Sequence, residues 1–129
     1  MLIERYGFCG GMATAALVNP FSGHAYYDQL APEGKRASLI GGIFKEIALE
    51  LQKGGGFGST LMDAAFDEEL LKRIYDAALV AAGVTLRYHT QLFGVKKKGP
   101  RLTGIETLSK GGRAVYFADT FIDCSGDGD

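Results

Sequence analysis

The sequence predicts an α/β fold with parallel sheet strands, helices and an antiparallel three-stranded meander. Three observations predict it. An amphipathic helix ending on Gly83 runs directly into the alternating stretch Val84–Tyr88, the second half of a βαβ unit. Beyond Gln91 the period changes to short alternating strands separated by glycine-containing turns. At the other end, Leu2-Ile3 reads as the tail of a buried strand that emerges at Glu4 into a loop of small residues.

The elements follow in order. Gly10 and Gly11 permit positive φ and leave no Cβ to obstruct a neighbour. Ala13, Ala15 and Ala16 permit close packing, and Pro20 ends any helix begun there. Residues 21–34 lack a period and are expected to form a loop with one short strand. A helix is expected from Lys35 to Gln52, with Leu39/Ile40, Ile43/Phe44, Ile47 and Leu51 on one stripe. Gly54-Gly55-Gly56 stops it. Gly41-Gly42 falls inside this span, at a cost of about 1 kcal/mol per glycine against alanine. That cost implies a close approach to the backbone there, by a crossing helix or strand in preference to a ligand.

The second helix starts from Asp67 as N-cap, with Glu68 and Glu69 in the positive first turn. Leu70/Leu71, Ile74, Ala78 and Ala81/Ala82 form its apolar stripe, and Gly83 takes the position after its C-cap. The meander is expected over Gln91–Lys97, Arg101–Ser109 and Arg113–Phe117. Asp119–Asp123 reads as one more strand, opening into a glycine-rich end.

The bulk numbers bound the function. At 129 residues the chain is at most one domain, and 47% hydrophobic residues suffice for a core. A formal charge of −1 gives no electrostatic case for nucleic acid or a membrane surface. The absence of a basic leader with an apolar run, and of any apolar run near 20 residues, points to a cytoplasmic protein. The 19 glycines cluster at turns without a repeat. Two cysteines, Cys9 and Cys124, make neither a disulfide scaffold nor a zinc site. They are expected to be small buried residues rather than a redox pair. Asp127 and Asp129 do not make a metal site, and no metal is expected.

Glu4 is the leading ligand candidate. An acidic residue at a strand end offers acceptor oxygens to ribose hydroxyls in dinucleotide-binding sheets. Arg5 carries a charge suited to phosphate. His24, Tyr26 and Tyr27 could line a substrate pocket, although ordinary loop packing explains them as well. His89 reads as a strand residue. Lys96-Lys97-Lys98 with Arg101 reads as a solvated hairpin turn.

Ile3-Glu4-Arg5 followed by Gly10-Gly11-Met12-Ala13-Thr14 resembles the FAD-dependent oxidoreductases of the glutathione-reductase-like flavoprotein superfamily. The resemblance continues through Leu17-Val18-Asn19-Pro20-Phe21, the helix from Phe66 to Gly83, and Phe121-Ile122-Asp123-Cys124-Ser125-Gly126-Asp127-Gly128-Asp129. It implies FAD as cofactor, bound by Glu4 and Arg5, by the Gly10, Gly11, Met12, Ala13 and Thr14 loop past the phosphates and ribityl chain, and by a backbone group near Leu92 at the adenine edge. It also implies Ser125, Gly126 and Asp127 beside the diphosphate and ribose, Ser125 standing where a threonine is usual. The family's G-x-G-x-x-G loop is absent from the 129 residues. The expectation is therefore an internal piece of a longer FAD/NAD(P)-binding domain, truncated at both ends. Expressed alone it should be colourless and inactive; extended upstream by a βα unit it should be yellow. The whole protein would act on a small-molecule substrate, with an electron-transfer partner as a further candidate. A non-catalytic nucleotide-binding module is the alternative that the missing loop supports. The resemblance names no catalytic residue, and the sequence leaves the oligomeric state open.

Overall fold

The computed structural model describes residues 1–23, 25–27, 36–38, 40–58 and 64–126, the segments 25–27 and 36–38 by their backbone alone. The chain divides into two compact units, one of Met1–Gly7 with Leu86–Asp129 and one of Phe8–Thr85.

In the first unit β1 (Leu2–Ile3) pairs in parallel with β4 (Leu86–Arg87), Leu2 opposite Leu86 and Ile3 opposite Arg87. Parallel neighbours require a long crossover, and all of Phe8–Thr85 supplies it in sequence. Backbone bonds extend the pairing: Glu4 N–H donates to the Arg87 carbonyl at 2.9 Å, Thr90 N–H to Glu4 at 3.0 Å, and His89 N–H to Tyr6 at 3.0 Å. The strand is shorter than the expected Val84–Tyr88. Val84 is taken by the preceding helix end, its N–H donating to Leu79 at 2.9 Å. His89 has φ +50 and turns the chain, so it is a bend residue and not a strand residue.

The meander forms as the alternation predicts. β5 (Thr90–Lys98), β6 (Arg101–Ser109) and β7 (Gly112–Phe117) make one antiparallel sheet in that order. The register slips between Leu92 and Gly94, which leaves Phe93 as an extra residue in a bulge. The Arg113 guanidinium lies 5.4 Å from the Phe93 ring centre. The expected strand Asp119–Asp123 does not form: these residues join no ladder, and Ile122 is 83% exposed. Strand propensity gains nothing without a partner edge, and the Asp123 side chain instead bonds its own backbone two residues on.

The second unit carries the core. Leu51, Phe66 and Leu71 are buried together, with Ala13, Phe21, Ile47, Phe57, Leu70, Ile74 and Tyr75 against them. Phe21 stacks on Phe66 at 4.1 Å and meets Phe44 edge-on at 5.3 Å. The expected loop at 21–34 does contain a short strand, β2 (Ala25–Tyr27), and its antiparallel partner is β3 (Arg36–Ser38). Arg36–Ser38, expected to lie in the first helix, is thus extended, while Lys35 and Leu39 lie outside the described residues, and α1 runs from Gly42 to Lys53. The reason is Gly42, whose φ of +59 no helix interior adopts. A Cβ at Gly41 or Gly42 would meet nothing within 4 Å among the described residues, so none of the described elements crosses close there. The close approach occurs at the other end of α1: a Cβ at Gly54 or Gly56 would lie 2.6 Å from Leu70 Cδ2.

α2 (Glu68–Ala81) starts as expected, with the Asp67 carboxylate accepting the Leu70 N–H at 2.8 Å. Its buried stripe is narrower than predicted. Leu71 is fully buried while Ala78, Ala81 and Ala82 are exposed. Both helices end in the same two-bond motif. Gly56 and Gly55 N–H groups donate to Leu51 and Gln52, and those of Val84 and Gly83 donate to Leu79 and Val80.

Candidate functional site

Glu4 leaves β1 with both backbone groups held, its N–H by the Arg87 carbonyl and its carbonyl by the Thr90 N–H. Its carboxylate turns back on the chain, and Oε1 accepts the Tyr6 N–H at 2.9 Å. That bond uses one of about four acceptor positions on an ionised carboxylate. Oε2 has no hydrogen-bond partner among the described residues, and Glu4 is part-exposed. Arg5 is exposed, with its guanidinium 4.9 Å from the Tyr6 ring centre.

Gly10, Gly11, Met12, Ala13 and Thr14 form one compact turn in the second unit. Gly10 has φ +119 and Gly11 φ +48, and Gly11–Ala13 make a single 3-10 turn. The Gly10 carbonyl accepts from Ala13, and the Gly11 carbonyl accepts from Thr14, Ala15 and Ala16 at 2.7–3.2 Å. The four successive donors from Ala13 to Ala16 are therefore consumed inside the turn. The N–H groups of Gly11 and Met12 have no acceptor among the described residues, and both residues are exposed. Thr14 is 1% exposed, and its Oγ1 donates to the Cys9 carbonyl at 2.7 Å. Its hydroxyl is a brace for the turn.

Leu92 lies in β5 beside the Phe93 bulge, opposite Thr107. Ser125 and Gly126 follow Asp123 in a tight turn. The Asp123 carboxylate accepts the Ser125 N–H at 2.8 Å, and Gly126 has φ +98. The bonds from the Ser125 backbone and hydroxyl hold the Asp123 carboxyl below its usual range. Asp127 and His24 lie outside the described residues, and of Tyr26 and Tyr27 only the backbone is described. The first unit thus holds Glu4, Arg5, Leu92, Ser125 and Gly126, and the second unit holds Gly10–Thr14.

Cys9 is buried, as expected, but Cys124 is exposed, in a segment that joins no strand ladder among the described residues. Burial, and secondarily the Cys9 sulfur, push the Tyr75 phenol above its usual pKa.

Asn19 and Asp123 hold local structure through bonds that the family strings containing them do not announce. Asn19 Nδ2 donates to the Phe66 carbonyl at 2.7 Å and to Glu68 Oε1 at 2.9 Å, while its Oδ1 accepts the Phe66 N–H at 3.2 Å. Nothing in the sequence pairs positions 19 and 66. Asp123 was legible: Asp two residues before Ser is a known turn signal. Among the described residues, no three His, Cys, Asp or Glu side chains converge on a point. No helix among them is long and apolar enough to cross a membrane.

Two helices, a parallel strand pair and an antiparallel meander define an α/β protein. It belongs to the FAD dependent oxidoreductase family, which it matches over residues 1–129. The cofactor of that family is FAD. No curated protein and no solved structure matches the chain.

Proposed function

We propose that this chain is the part of a glutathione-reductase-like FAD domain that holds the adenosine and phosphate side of the cofactor, in a cytoplasmic oxidoreductase acting on a small molecule. The observation that carries the reading is the uncommitted Glu4 oxygen at the emerging end of a parallel strand. A ribose hydroxyl needs an anionic acceptor there, and the Tyr6 N–H keeps the carboxylate from rotating away. Arg5 offers its charge to a phosphate. Gly11 and Met12 offer two exposed backbone donors to anionic oxygens. The residues fit the cofactor's polar groups in kind: an acceptor for hydroxyls, donors and a cation for phosphate. Leu92 would serve the adenine edge, and Ser125, Gly126 and Asp127 the diphosphate side. Bound FAD supplies the redox chemistry, and the protein's task is to position it. Neither Cys9 nor Cys124 forms a disulfide among the described residues, which agrees with a reducing compartment.

The test is FAD retention in the purified holoprotein, compared among wild type, Glu4→Gln and Glu4→Ala. A charged hydrogen bond is worth about 1.5–3 kcal/mol. Glu4→Ala should therefore lower affinity by at least tenfold. Glu4→Gln keeps the oxygen that holds Tyr6 but loses the charge, so it should fall between the two. Equal flavin occupancy in all three would remove Glu4 from the site.

A further inference from the structure

The two outer strands of the meander are protected differently. β5 carries Lys96, Lys97 and Lys98 and gives its first N–H to Glu4. Lysines along an edge repel an incoming strand. β7 reads Gly112-Arg113-Ala114-Val115-Tyr116-Phe117, with one charge and no proline, and its outer edge pairs with no strand among the described residues.

The register says which groups are unpaired. Lys110-Gly111 is a two-residue turn, so Ser109 and Gly112 close the hairpin as a hydrogen-bonded pair. Alternation along β7 makes Ala114 opposite Thr107, and Tyr116 opposite Ile105, the next bonded pairs. The N–H and C=O of Arg113, Val115 and Phe117 therefore point away from β6. The side chains of the same three residues share one face of the sheet, where Val115 is 39% and Phe117 71% exposed.

We infer that β7 is a self-association edge, which pairs antiparallel with β7 of a second copy around a two-fold axis at Val115. The spacing selects this partner. In that register Val115 faces the other copy's Val115, and Arg113 faces the other copy's Phe117. All three outward residues then form bonded pairs, so every free backbone group on the edge is used at once. No like charges meet, because the strand's single charge lies opposite an aromatic ring. Arg113 already stacks on Phe93 on this face, so its guanidinium is suited to a second ring. The product is a six-stranded sheet with the lysine-bearing β5 strands at both ends.

Light scattering across a dilution series of the 129-residue chain tests this. Wild type should reach twice the chain mass at high concentration. Val115→Lys places two ammonium groups opposite each other on the axis and should leave a single-chain mass with unchanged circular dichroism. Val115→Ile should keep the dimer. A single-chain mass for wild type at every concentration would overturn the inference, and so would an undiminished dimer in Val115→Lys. Should that variant fail to fold, amide exchange on wild type decides. Arg113, Val115 and Phe117 should be protected when concentrated and fast when dilute, with Ala114 and Tyr116 protected throughout. Equal protection at all five, independent of concentration, would refute the pairing.

Discussion

Thr14 stands where a side chain on Gly10 would have to go. A Cβ built there lies 2.5 Å from Thr14 Oγ1, 2.6 Å from Thr14 Cγ2 and 2.9 Å from Tyr75 Cε2. Thr14 cannot retreat, because it is buried and tied to the Cys9 carbonyl. Gly10→Ala should therefore combine overpacking, about 1–3 kcal/mol, with strain at φ +119, again about 1–3 kcal/mol. Gly11→Ala, at φ +48 with nothing within 4 Å, should cost only about 1–2 kcal/mol. Urea denaturation of the two variants checks the order, and an equal loss would mean that the turn is not packed as described.

Asn19 ties the segment before Phe21 to the start of α2. Asn19→Ala leaves the Phe66 N–H and carbonyl without that partner in a buried residue, at a cost of about 1–3 kcal/mol. Asn19→Asp should be no milder at neutral pH, because a carboxylate cannot donate to the Phe66 carbonyl or to Glu68. Denaturant midpoints of both variants test the claim.

The same network sets a pH dependence. The Asn19 side chain first, and a backbone N–H second, hold the Glu68 carboxyl below its ordinary 4.5. A depressed carboxyl pKa stabilises the fold fully above the unfolded value and loses that contribution as pH falls through the folded one. Stability should therefore decline on acidification below 4.5, less steeply in Asn19→Ala than in wild type. Parallel pH curves for the two proteins would exclude Glu68 as a source.

The thiols should react in two phases. Cys124 is exposed and Cys9 is 8% exposed, so a water-soluble thiol reagent should modify Cys124 at once. Cys9 should follow only at the rate of local opening. A Cys124→Ser variant should lose the fast phase alone, and loss of the slow phase instead would reverse the assignment.

Local chemistry determined much of this protein before any contact was known. Asp67 and Gly83 bound α2 because caps and positive-φ stops act within one turn of chain. The meander was legible through its period of two and its turn residues, and the family through short strings such as Ile3-Glu4-Arg5 and Gly10–Thr14. Tertiary structure decided the rest. Arg36–Ser38 is a strand because β2 lies opposite it and Gly42 withholds the helix. Asp119–Asp123 is not a strand, because propensity without a partner edge forms no ladder. The Asn19–Phe66 tie and the contact of Leu70 with Gly54 and Gly56 join residues far apart in sequence. Such contacts depend on where separate elements come to rest, which no local pattern of residues encodes.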